Sequence, residues 1–101
     1  MKQNILDMGI IRKNSLGKII ELSVKQTQIQ GSAGVDYQID FMLGNHLVGR
    51  EGIHVSHDEK SDFDSKNYFD SIRAQVVNEL KEFGYLSDGR ADPSKIKVRK
   101  Y

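Results

Sequence analysis

The sequence predicts an α+β fold: an antiparallel sheet of four to five strands in a meander, packed on one long helix, with a C-terminal strand returning to the sheet. Three observations predict it. Val35, Tyr37, Ile39, Phe41 and Leu43 alternate with Asp36, Gln38, Asp40 and Met42, the period of a half-buried strand. Phe69, Ile72, Val76, Leu80 and Phe83 recur every three or four residues, the period of a helix with one apolar face. Glycine-containing stretches, among them GSAG from Gly31 to Gly34, punctuate the apolar runs as turns.

The N-terminus is ambiguous. GIIRK, before the turn NSLG, is able to form an additional strand, whereas residues 1–8 suit a short helix equally well. Next, Ile20, Leu22 and Val24 face one way and Glu21, Ser23, Lys25 and Thr27 the other, a strand that GSAG joins to 35–43 as a hairpin. After Gly44-Asn45-His46, the run LVGREGIHVSHD reads as a third strand, with Gly49 and Gly52 marking a bend or bulge. The helix is expected from Lys66 to Phe83, capped by Asp64 or Ser65 and closed by Gly84 at the C′ position. At 1.5 Å per residue it is about 27 Å long, close to the roughly 30 Å of a nine-residue strand, so it can lie along the sheet. A loop, SDGRADPS, leads to KIKVRKY, whose Ile96 and Val98 oppose Lys95, Lys97 and Arg99: a last strand with a cationic outer face.

A chain of 101 residues is expected to form a single domain over residues 1–101. Hydrophobic residues at 38% and charged residues at 29% are a folded, soluble composition. Without a membrane-length apolar run or a signal peptide at the N-terminus, the expected location is cytoplasmic, with no membrane partner. The absence of cysteine excludes disulfides, a thiolate nucleophile and cysteine-bound zinc. The net charge of +1 conceals a division: residues 51–92 carry five cations against ten acids, while 93–101 carry four cations and no acid.

Function must therefore be sought in local clusters, of which HVSHDEKSDFD, residues 54–64, is the densest. A metal centre is disfavoured, since His54 and His57 point to opposite faces of a strand, and His54 and Asp58 lie roughly 13 Å apart along it. No metal and no cofactor are expected. Asp62 and Asp64 suit a helix start, where carboxylates cap free amides and meet the positive end of the dipole. Asp58 and Glu59 lie too far upstream for that role, and Phe63 among them resembles the aromatic anchor of a charged interface.

The expectation is a non-catalytic protein-binding inhibitor of the immunity or antitoxin type. It would neutralise a basic toxin or nuclease domain by occluding the active site with an acidic loop, through Asp58, Glu59, Asp62, Phe63 and Asp64. Two alternatives stand beside it. One is a nucleic-acid-binding module using Lys95, Lys97, Arg99 and Lys100, helped by Tyr101. The other is a small RNase-like enzyme using His54 or His57, with His46, Arg50 and Glu51 as further candidates.

Overall fold

The computed structural model describes residues 4–14, 20–59, 62–83 and 95–98. In chain order these form α1 (Met8–Asn14), β1 (Ile20–Gly31), β2 (Gly34–Leu43), β3 (His46–Ser56), α2 (Ser65–Glu82) and β4 (Lys95–Val98). The fold is α+β with an antiparallel sheet. The sheet proper is the three-strand meander β1-β2-β3, short of the four to five strands expected. β4 adds four residues, pairing Val98 with Ile20 and Lys95 with Ser23 at one end of β1, so the strand order is β3-β2-β1-β4.

The GIIRK segment is not a strand but the body of α1. Asp7 starts this helix, its Oδ1 accepting from the amides of Gly9 and Ile10 at 3.1 and 3.3 Å. Instead of one long helix, two unequal ones share the cover of the sheet, the second of them 18 residues long. The bounds of α2 fall within one residue of those its spacing predicts, with Asp64 as N-cap. The expected role of Gly84 falls outside the described residues.

Alternation in β2 places Val35, Tyr37, Ile39, Phe41 and Leu43 on one buried face. Leu22 of β1, Val48 and Val55 of β3, Met8 and Ile11 of α1, and Phe69, Val76 and Leu80 of α2 complete the core against them. The cover is incomplete. Gln26, Gln28 and Gln30 pair with Ile39, Tyr37 and Val35 yet are exposed, so that margin of β1 is polar and lies outside the buried core.

The bend expected in the third strand is a register shift. Phe41 pairs with Gly49 but Met42 with Leu47, leaving Val48 as the extra residue. The N-terminal segment docks beside it: Leu6 bridges Gly49, and the Asp7 amide donates to the Val48 carbonyl at 2.7 Å. Gly49 permits this approach, since a Cβ there would stand 3.0 Å from the Ile5 carbonyl oxygen and from Leu6 Cδ2. Glu79 of α2 secures the same segment. Its buried carboxylate accepts from the amides of Ile5 and Leu6 at 2.9 and 3.0 Å and from Gln75 Nε2 at 3.2 Å.

The opposite face of the sheet carries a cross-strand row, Lys25, Asp40 and Arg50. Asp40 is only 8% exposed, and Arg50 donates to it through Nε at 2.8 Å and Nη2 at 3.2 Å. The Arg50 hydrogen bond holds the Asp40 pKa below its ordinary value, outweighing the upward push of burial, with Arg50 charge, Gln38 and Lys25 assisting. A carboxyl depressed in the folded state stabilises the fold above its unfolded pKa, and that contribution is lost as pH falls through the folded value. Thermal midpoints measured downward from pH 5 should thus fall in the wild type below about pH 4, and fall less steeply in Asp40→Asn.

Candidate acidic groove at the entrance to the second helix

After Ser56 the chain leaves the sheet in a tight turn. The Glu59 amide donates to the Ser56 carbonyl at 3.1 Å, and Ser56 Oγ donates to Glu59 Oε1 at 2.9 Å. The Asp62 amide donates in turn to the Glu59 carbonyl at 3.1 Å. These short-range bonds hold Asp58, Glu59 and Asp62 on the surface, all three exposed.

Phe63 pins the turn to the body of the protein. Half-buried, its ring lies 4.8 Å from that of Tyr37 and 5.8 Å from that of Tyr68, and Tyr68 lies 5.5 Å from Phe69. An aromatic row thereby links β2, the acidic turn and the first turn of α2. Burial, and secondarily Glu51, raise the Tyr68 pKa, so its hydroxyl keeps its proton at neutral pH.

Asp58, Glu59, Asp62 and Phe63 line one groove of 330 Å³, together with Ile53, His54 and Val55 of β3. Asp64 is the expected site residue that does not line it. Its Oδ1 accepts from the Asn67 amide at 3.1 Å, with φ −97° and ψ 94°, so it serves as the helix cap. Phe63 gives much of its ring to the protein's own aromatic row and offers the groove only the remainder.

Of the groove residues that sequence reasoning did not name as site candidates, Ile53 and Val55, Ile53 is the exposed one. Its parity with Val55 marks it as core, and it pairs with buried Tyr37, yet it is 41% exposed. Nothing in its local sequence signals that the cover ends before it.

The histidines do not converge. His46 opens β3 and His54 lies eight residues along it, about 26 Å at 3.3 Å per residue. His54 Nδ1 meets Asp36 Oδ1 at 2.6 Å across the strands, whereas His57 Nε2 meets the Ser32 carbonyl at 2.8 Å in the β1–β2 turn. Arg50 is engaged by Asp40 on the sheet face that carries Lys25, while Glu51 pairs with Ile39 on the other face. Among the described residues no three histidine or carboxylate side chains are placed to hold a metal ion. Lys95 and Lys97 lie on β4 opposite Ser23 and Glu21, and Arg99, Lys100 and Tyr101 lie outside the described residues.

A second depression of 550 Å³ runs between Asn4 and the α2 residues Ser71, Gln75, Asn78 and Glu82. Its one buried charge, Glu79, already accepts from three donors, which leaves it little to offer a ligand. No helix among the described residues is long and apolar enough to cross a membrane. Compared with known proteins, the chain matches no family model, no curated protein and no solved structure.

Proposed function

We propose that this chain is a non-catalytic protein-binding inhibitor, of the kind that protects against a toxin or nuclease by covering a basic active site. One observation carries the reading: Asp58, Glu59 and Asp62 gather around a groove with an apolar wall, Ile53 and Phe63, and no lysine or arginine among its described lining residues. Carboxylates at the rim attract a cationic partner and speed its encounter, while the apolar wall gives the contact surface to bury. A protein partner with a positively charged cleft fits such a surface, and occlusion needs no chemistry from the inhibitor.

The test is capture of the partner with the wild-type chain and with the combined Asp58→Asn, Glu59→Gln, Asp62→Asn variant as baits. At about 0.2–1 kcal/mol for each exposed ion pair, the three neutralisations should weaken binding roughly tenfold and flatten its salt dependence. Equal retention by both baits, or recovery of RNA in place of a protein, would sink the proposal.

A further inference from the structure

We infer that the partner enters the groove as an extended basic segment, adding itself as a strand to the open edge of β3. The inference rests on the proposed binding role of the groove and adds to it the form of the ligand. β3 is an outer strand of the sheet, with β2 on one side only. The N-terminal segment covers its other side as far as the Leu6–Gly49 bridge. Beyond Arg50 no described segment pairs with that outer side.

In an antiparallel ladder, alternate residues turn both backbone groups toward the neighbouring strand and away from it. The Ser56 carbonyl points away from β2, because it accepts from the Glu59 amide in the turn. Counting back by twos, His54 and Gly52 direct their N–H and C=O groups to the same open side. Both residues are exposed, and no backbone hydrogen bond outside the ladder reaches either among the described residues.

Exposed edges are usually blunted by proline, lysine or a bulge. Residues 52–56 contain no proline, lysine, arginine or carboxylate, the charged Arg50 and Glu51 preceding them, and the register shift lies earlier, opposite Phe41 and Met42. The open edge is also a wall of the groove: Ile53, His54 and Val55 line it together with Asp58, Glu59 and Asp62. A strand laid along Gly52–Ser56 therefore projects every second side chain toward those carboxylates. Main-chain hydrogen bonds supply affinity in such an arrangement, and alternate side chains supply selectivity. The chemistry that fits is lysine or arginine at alternate positions of an extended segment, with edge pairing fixing the register.

The probe is a blocked peptide of alternating lysine and valine, compared with the same peptide N-methylated at every residue, which keeps its charge but cannot donate backbone hydrogen bonds. Bound to the whole chain, the unmodified peptide should slow amide exchange at Gly52 and His54, and the methylated one should bind about tenfold more weakly or worse. Equal binding of the two without protection at Gly52 and His54 would overturn strand addition while leaving the acidic groove as a binding surface. No binding of either peptide at millimolar concentration would overturn it too, the capture experiment then deciding the groove's role separately. Protection of the same amides that grows with protein concentration in the absence of peptide would make a second copy the occupant, and would also overturn the proposal.

Discussion

Glu79→Ala is expected to destabilise the fold by about 3 kcal/mol, since hydrogen bonds to a charged group are worth roughly 1.5–3 kcal/mol and the donors left behind are costly. For a chain of this size that corresponds to a fall of roughly 15 °C in the thermal midpoint. Glu79 is 4% exposed, and its carboxylate is the acceptor for the amides of both Ile5 and Leu6. Alanine would leave both donors without that acceptor, and neither the cavity nor the apolar surroundings of Leu6 offers an equivalent charge. The damage would spread along the segment, since Leu6, Met8 and Ile11 all belong to the core. Glu79→Gln keeps one side-chain oxygen and should lose roughly half as much. Chemical denaturation of the three proteins checks the ranking, and amide exchange at Leu6 should quicken in the same order. An alanine variant within about 0.5 kcal/mol of wild type would mean that the amides find other acceptors.

Glu79 also marks where the sequence stops being legible. Its position between Asn78 and Leu80 on α2 gives no sign of burial, because its reason for being buried is a pair of amides more than 70 residues away. Asp40 is similar. Alternation assigns it to the solvent side of β2, which is correct, but its low exposure comes from Arg50, brought opposite by the β2–β3 register. Period-based reasoning reads faces well when the partner surface is apolar and extended, as in β2, and when caps are local, as with Asp64 and Asn67. It fails on α1, seven residues long, whose helix depends on Asp7 and on docking beside β3 more than on any repeat of its own.

The candidate groove was legible in part for the same reason. Asp58, Glu59, Asp62 and Phe63 are close in sequence, and the turn that gathers them is built from bonds spanning three residues. Its other wall comes from the edge of β3, which among the described residues has a neighbour on its outer side only near the Leu6–Gly49 bridge, and that placement depends on strand order, a property of the whole fold. The acidity of the site is therefore a local trait of the sequence, whereas its shape, and with it the form of ligand it suits, is a tertiary one.

Gly34→Ala should be the most damaging small substitution near the groove, costing on the order of 3 kcal/mol through backbone strain and overpacking combined. Gly34 has φ of 149°, a conformation that favours glycine, and a Cβ there would stand 2.2 Å from the Val55 carbonyl oxygen and 2.9 Å from Ser56 Cα. Both neighbours are backbone, so relief requires β3 to move away from β2 where Gly34 pairs with Ser56. That movement would open the contact between His57 Nε2 and the Ser32 carbonyl and shift the turn that holds Asp58 and Glu59. Gly31→Ala, across the same hairpin, is the control: its Cβ would meet only the Gly34 carbonyl oxygen at 3.7 Å, an ordinary contact, and its cost should stay near 0.5 kcal/mol or below, about that of a surface change. Urea denaturation separates the two variants, and altered amide resonances at His57 and Glu59 should accompany Gly34→Ala alone. If the two variants were equally stable, the close packing of β2 on β3 at Gly34 could not be what positions the acidic turn.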